Sequence, residues 1–466
     1  MTLHDLVIIG SGAAGQTAAS TAVHLGASRV AIVEGGTLWG TCVNYGCIPS
    51  KFLLSVAEYH FYKNHNHNGI KIDSRFDLPF TLAEKDALIS RLVQKKWDHL
   101  LSHLGVELIR GNAEFISDRE LKIGDRIVTS ERFIIATGSF PAIPPIEGIT
   151  SVPFMTSREA LSPQNVPRSM VVIGGRALGL EFAQLYAHLG TEVTLLQRSS
   201  RIIPDEEPEL AAALQGYLAA EGIDIRTRAE IRKVEKNGEK VTVTAIINDE
   251  EQKISAEFLL LATGRLPNSE GLRPERAGVN VGKNGAVIVD KTLKTSSPRI
   301  WAAGDVTGEP MLETAARYGG AIAAANALSG TTRQFDPAEL PRGIFTSPQV
   351  ASVGMTEEQA RRTGHSTVCR CTLLNAVSRT AMIGDTRGML KIVADQTDER
   401  ILGVHICSPL ATEIIQQGYF AVNYHLNVQD LIDTYYVFPA LSEIISICAR
   451  AFRRDDKRDC VNKKAD

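Results

Sequence analysis

The residues best equipped for chemistry lie in one run, Gly40-Thr41-Cys42-Val43-Asn44-Tyr45-Gly46-Cys47-Ile48-Pro49-Ser50-Lys51. Cys42 and Cys47 are bounded by glycines and followed by an apolar helical stretch, so they can close a small disulfide at a helix start. There the positive end of the helix dipole is expected to lower a thiol's pKa and make the pair reducible. Two structural thiols, or half of a metal site, would use the same residue types, but no second cysteine pair stands at partner spacing.

A reducible pair needs an electron source, and two glycine turns offer one. Gly10, Gly12 and Gly15 lie between an apolar strand (Leu6 to Ile9) and a helix (Ala14 to Leu25), and Glu34 ends the following strand. The first glycine permits the tight turn, the second lets backbone approach a pyrophosphate at the helix N-terminus, and the third allows close helix packing. The acid accepts a ribose hydroxyl. A second copy begins near Met170: a strand to Ile173, a turn from Gly174 to Gly179, a helix through Ala187, and a strand from Glu192 to Leu196. One chain is therefore expected to hold two dinucleotides.

The second turn departs from the first, because Arg176 stands where the middle glycine would be. Its next strand runs into Gln197-Arg198-Ser199-Ser200-Arg201, where NAD-selective sites carry an acid. Glutamine removes the repulsion, and Arg198 with Arg201 can hold a 2′-phosphate through charge-assisted bonds, which favours NADPH over NADH.

The elements that must position these groups fit the bulk composition. A chain of 466 residues implies two or three domains, and 44% hydrophobic with 22% charged residues suits a soluble globular protein. A net charge of -3 leaves no footprint for nucleic acid. No apolar run suggests a membrane span, and the N-terminus enters a strand without a signal-type segment, so a cytoplasmic protein is expected. Seven cysteines, an odd number, argue against a structural disulfide framework. Cys369 and Cys371 alternate along a strand, Cys407 and Cys448 sit in apolar settings, and His405 and His425 read as structural histidines that could still replace a missing base. Helical periodicity covers Phe80 to Leu104, and after Pro341 the pattern changes to strands and helices without another glycine fingerprint.

The landmarks together resemble the pyridine nucleotide-disulfide oxidoreductase family over essentially the full length: Gly10 to Gly15, the cysteine run, Ala136-Thr137-Gly138, the turn from Gly174, Ala262-Thr263-Gly264 and Ala303-Gly304-Asp305. The resemblance implies an α/β fold of two doubly wound Rossmann-like domains, for FAD and NAD(P)H, plus a C-terminal α+β dimerisation domain. It places FAD on residues 1–150, completed by 270–335, and NAD(P)H on 151–269, with 336–466 forming the interface of a homodimer whose active sites are shared between subunits. It implies that Gly40, Thr41, Thr137, Gly138, Gly264 and Gly304 shape the cofactor sites and that Asp305 contacts the ribityl or pyrophosphate part of FAD. Cys47 would lie against the flavin and form the charge-transfer thiolate, and Cys42 would be the exposed interchange thiol. Lys51 and Glu181 match a pair placed near flavin N5, where a cation stabilises the reduced ring.

Disulfide-reducing members carry a His-Pro-x-x-x-Glu dyad whose histidine protonates the departing thiolate. Here the run is Phe438-Pro439-Ala440-Leu441-Ser442-Glu443, and phenylalanine carries no proton. An acceptor that takes two electrons without protonation suits this better, and Hg(II), which prefers two thiolates, qualifies. The segments Phe345 to Ala351, Val377 to Gly388 and Ala449 to Phe452 are also similar to the catalytic core of mercuric reductases, and no CxxC loop precedes the first glycine turn. That branch ends in two adjacent cysteines that relay the metal, whereas here Cys460 is followed by Val461 and Asn462. The expected activity is NADPH-dependent reduction of Hg(II) to the element, with Cys42, Cys47 and the partner subunit's Cys460 as metal ligands. An NAD(P)H-dependent reductase of a small disulfide or other oxidant is the alternative, and a flavoprotein that sequesters metal or senses redox state without turnover is a third.

Overall fold

Residues 3–62, 75–308 and 310–454 are described in a computed structural model of the chain. They divide into two compact units. The first is built from the chain up to Phe52, from Pro79 to Ala142 and from Gly264 to Pro337, and the second from the stretches in between together with the chain beyond Ala338.

The first unit centres on a five-stranded parallel sheet. Strand β1 (Leu6–Ile9) pairs with β2 (Val30–Glu34) on one side and with Phe133–Ile135 on the other; Glu107–Arg110 and Ile300–Ala302 form the edges. The inner strands are almost unbroken apolar runs because both faces of a parallel sheet are covered. One cover is helix α1 (Ala13–His24), which packs on the helix Glu313–Ser329. Their backbones approach closely because both faces are glycine and alanine: a Cβ on Gly320 would lie 2.2 Å from the carbonyl oxygen of Ala14. The periodic stretch after Phe80 forms the helix Leu78–Trp97, which continues as a wider π turn over Asp98–His103.

The second unit repeats the motif. Strand β3 (Ser169–Ile173) lies between β4 (Glu192–Leu196) and Phe258–Leu261 in a four-stranded parallel sheet; the helix that carries the second cysteine, α2 (Cys47–Tyr62), comes earlier in the chain, and helix α3 (Ala177–His188) follows β3. A three-stranded antiparallel meander, Glu230–Asn237, Lys240–Ile247 and Glu250–Ala256, extends it. Beyond Ala338 lies a five-stranded antiparallel sheet in the order Arg342–Ile344, Gln349–Gly354, Ile401–Ser408, Met389–Asp395, Thr367–Leu373, covered by the helices Ala411–Asn423 and Glu443–Arg450. The two repeats and the α+β module are the architecture expected from the sequence pattern.

A buried charge cluster joins the nucleotide-type repeat to this module. Lys391 is 1% exposed, and its Nζ lies 2.8 Å from Glu207, 3.0 Å from Glu209 and 2.9 Å from Glu357. Burial opposes its charge, but the glutamates outweigh burial and hold the ammonium above the usual lysine range. The ammonium thus fills the point where three carboxylates converge. Removing one partner of such a cluster leaves buried charge uncompensated, which costs about 3–5 kcal/mol. Lys391→Ala is therefore expected to lower the chemical denaturation midpoint strongly, and Glu209→Gln, at the cluster's more open side, to lower it less; equal midpoints in all three proteins would contradict this.

Candidate active site

Two consecutive helices carry the cysteines. Cys42 sits in the short helix Gly40–Tyr45 and Cys47 begins α2. Gly46 between them makes the tight join: a Cβ there would lie 2.8 Å from the carbonyl oxygen of Thr41. The two sulfurs are not joined in this structure. The Cys42 thiol is pushed up, first by its hydrogen bond with Cys47 and then by burial. The helix-dipole expectation of a lowered pKa thus fails for Cys42, which lies within the short helix and not at the start of α2. Cys47 is exposed and Cys42 half-buried. Lys96 and Glu313 both act on the charge of Cys42. Lys96 Nζ donates to Gln16 Oε1, while burial lowers the lysine's pKa and raises that of Glu313.

The cysteine run is tied to the first glycine turn. Gly40 has φ +72°, and a Cβ on it would come 2.8 Å from Gly12 Cα. Gly10 (φ +108°) would meet the Ala136 carbonyl oxygen at 2.2 Å and Gly15 the Gly10 carbonyl oxygen at 2.0 Å, so both are required by the protein's own packing. Gly12 is different: a Cβ there meets nothing within 4 Å, leaving open space at the start of α1. Glu34 Oε2 accepts from Ser11 N–H (2.9 Å) and Oγ–H (2.7 Å), which fixes the acid beside the turn. Trp39, 1% exposed, keeps an indole N–H without a partner among the described residues. Open space at the turn, a fixed acid and an orphaned donor next to Gly40 fit an extended dinucleotide such as FAD.

Asp305 follows Gly304 (φ +81°) and accepts from Ser139 Oγ–H at 2.5 Å. Arg265 donates from Nε to Ser139 Oγ and from Nη2 to the Ser139 carbonyl oxygen, both at 2.7 Å, and lies 3.8 Å from Asp305. It also acts on Tyr45 and Cys47, which joins the Asp305 end of the site to the sulfurs. Thr137 Oγ donates to the Asn268 carbonyl oxygen, and Gly138 and Gly264 both have positive φ. Sequence reasoning missed Ser139, Arg265, Gln16, Lys96 and Glu313. A signal existed for the first two, which directly follow Ala136-Thr137-Gly138 and Ala262-Thr263-Gly264.

In the second unit Gly174 and Gly179 repeat the contacts of Gly10 and Gly15, at 2.2 Å to Ala262 and 1.9 Å to Gly174. Gln197 Oε1 accepts from Gly175 N–H (3.0 Å), as Glu34 does from Ser11, and its Nε2 donates to Ser199 Oγ (2.8 Å). The glutamine thus holds the turn without placing negative charge there. Arg198 is exposed; Arg201 donates from Nη2 to the Pro204 carbonyl oxygen (2.8 Å), and its Nε is buried without a partner. Glu181 is 4% exposed and accepts from Phe345 N–H (2.9 Å), while Lys51 stands half-buried on the first turns of α2. Glu443 accepts from Ala440 N–H (3.1 Å), a local bond rather than one to an imidazole, and Phe438 is 72% exposed. His405 is fully buried, donates to the Met355 carbonyl oxygen and is brought down to about 4 by burial, so it does not serve as a replacement proton donor; His425 sits in a left-handed turn. Cys460 lies outside the described residues.

Two glycine-turn repeats, a cysteine pair tied to one of them and an antiparallel C-terminal sheet define an oxidoreductase of the flavin and pyridine-nucleotide type. The chain belongs to the pyridine nucleotide-disulphide oxidoreductase family, matching it over residues 4–320 and its dimerisation domain over 340–447. Membership implies FAD and a pyridine nucleotide, and the second match supports a homodimer. The chain is 39% identical to a mercuric reductase of Staphylococcus aureus over 454 residues, 97% of this chain and 83% of that protein. It is 35% identical to a dihydrolipoyl dehydrogenase of Thermus scotoductus, covering 97% and 98%. Among solved structures it is similar to the Cu(II) complex of the HOCl-induced flavoprotein disulfide reductase RclA from Escherichia coli, with a TM-score of 0.87, 31% identity, and coverage of 97% and 100%. Among the described residues no helix is long and apolar enough to cross a membrane.

Because Gly40 combines a left-handed backbone with van der Waals contact to the turn, a methyl group there displaces the Gly12 backbone. Gly40→Ala is expected to fold yet retain several-fold less FAD than the unaltered protein, read as the 450 nm to 280 nm absorbance ratio after gel filtration. Full flavin occupancy in the variant would contradict this.

Proposed function

We propose that the chain is an NADPH-dependent mercuric reductase in which Cys42 and Cys47 bind Hg(II) as a bis-thiolate. The observation that carries this reading is position 438. Splitting a disulfide releases a thiolate that needs a proton, and the run that supplies it in disulfide-reducing members has phenylalanine here, with Glu443 committed to Ala440 N–H. Two electrons convert Hg(II) to the element without protonating the metal, so the missing donor costs nothing. The mercuric reductases among the relatives support the same choice.

Gly10, Gly12, Gly15, Glu34, Gly40, Thr41, Thr137, Gly138, Gly304 and Asp305 would hold FAD, which when bound supplies two-electron transfer between nicotinamide and sulfur. The chain's own part is electrostatic and positional. Binding Hg(II) requires Cys42 and Cys47 to give up two protons, and Lys96 and Arg265 lie where they favour the resulting anions. Lys51 and Glu181 are assigned to the flavin's reacting edge. Gly174, Gly179, Gly264, Arg198 and Arg201 would hold NADPH, the arginines taking the 2′-phosphate beside the neutral Gln197. The partner subunit's Cys460 is assigned as an entry ligand, which needs the homodimer. A cytoplasmic setting suits a reductase fed by NADPH.

A second reading, reduction of a small disulfide, another oxidant or Cu(II), is favoured by the likeness to RclA. One assay orders the two: NADPH oxidation in excess small thiol with Hg(II), alongside release of volatile mercury, compared with glutathione disulfide, lipoamide and Cu(II). Sustained turnover with volatile mercury is expected, and inhibition by Hg(II) with turnover on a disulfide would sink the mercuric assignment. Phe438→His is expected to gain disulfide turnover; unchanged activity would count against the proton argument. Arg198→Ala is expected to raise KM for NADPH about tenfold while leaving that for NADH nearly unchanged, since one charge-assisted bond is worth roughly that factor.

A further inference from the structure

The two glycine turns of this chain form an internal comparison. In both, the first and third glycines are dictated by protein packing: any side chain at Gly10, Gly15, Gly174 or Gly179 collides with backbone within 2.2 Å. The middle position is not. Gly12 (φ -65°, ψ -171°) and Arg176 (φ -95°, ψ -176°) occupy the same extended conformation just before their helices, and a Cβ at Gly12 meets no protein atom within 4 Å. The residue type at this position is therefore set by what occupies the open space, and in a dinucleotide turn that is the diphosphate. Glycine admits backbone contact with it, whereas arginine fills the same space with a cation.

We propose that Arg176 is a diphosphate ligand of the second nucleotide site, held in the resting state by Asp205, so that dinucleotide binding is an exchange of one anion for another. Without nucleotide, Arg176 pairs with Asp205 through Nη1, and its Nη2 lies 3.3 Å from the other carboxylate oxygen. The two side chains are 61% and 56% exposed, which makes the pair weak and readily opened. Asp205 is not there by accident of a mobile surface. The loop after β4 is pinned to the same turn, Ile203 N–H donating to the Gly175 carbonyl oxygen (2.8 Å), and Arg201 holds the Pro204 carbonyl oxygen one residue before Asp205. Arg201 thus positions the loop that carries Asp205. A diphosphate carries more charge than one carboxylate and accepts the planar guanidinium in a bidentate fashion, so it displaces Asp205 when it arrives.

The inference rests on this unit's binding a pyridine dinucleotide and is independent of the electron acceptor. Its test is direct binding of NADP+ and of 2′-AMP to the oxidised holoenzyme by calorimetry, at two salt concentrations. Arg176→Ala is expected to weaken NADP+ about tenfold and reduce the salt dependence of its Kd, leaving 2′-AMP, which lacks the diphosphate, unchanged. Arg176→Lys should recover part of the loss, and Asp205→Asn should tighten NADP+ two- to threefold. If Arg176→Ala binds NADP+ as well as or better than the unaltered protein, Arg176 is only an obstruction and the inference is overturned. If Arg176→Ala weakens both probes equally, the effect is structural and the inference also falls. If the unaltered protein binds neither probe, the nucleotide assignment itself fails, a result distinct from both.

Discussion

The contact between Gly40 and Gly12 is the constraint on which the first unit's site depends. A phosphate-binding turn and a redox-active helix are separate devices in principle, yet here the backbone of Gly12 occupies the space that a side chain on Gly40 would need. The start of the cysteine run therefore packs directly on the turn that would hold the flavin's diphosphate. Arg265 reinforces this from the far end by bonding Ser139, which in turn bonds Asp305, while acting on Cys47. Such a site is positioned by backbone packing and short hydrogen bonds, the arrangement that loses least when an electron pair changes hands.

The sequence made some of this legible and concealed the rest for a physical reason. The glycine turns, the cysteine pair, Glu34, Gln197 and the Ala-Thr-Gly marks are short-range patterns in which each residue's type answers to a neighbour a few positions away or to the next strand. Their elements fall where periodicity and apolar runs put them, down to β1 and β2. What stayed hidden joins distant positions: Lys96 beside Cys42, Ser139 with Asp305, and Lys391 amid Glu207, Glu209 and Glu357. A lysine in a strand or a glutamate before a helix gives no local sign of its partner. The dipole argument for Cys42 failed similarly, because a hydrogen bond with Cys47 and burial outweigh a helix end that belongs to the other cysteine.

The internal repeat carries information that neither copy has alone. Ser11 with Glu34 and Gly175 with Gln197 make the same bond, so the acid-to-amide change can be read as a change of charge at constant geometry. The middle-glycine change can be read in the same way, as a difference in ligand contact on an unchanged backbone. The two turns thus share one backbone and differ where the ligand of each would lie.

Cys407 and Cys448 are wholly inaccessible, and burial pushes both thiols up to about 12. A thiol in that state offers almost no thiolate to a soft metal or an oxidant at neutral pH. A catalyst that works on thiophilic or oxidising agents faces poisoning by its own reactants. Here the C-terminal module keeps Cys407 and Cys448 away from that fate by burying both completely.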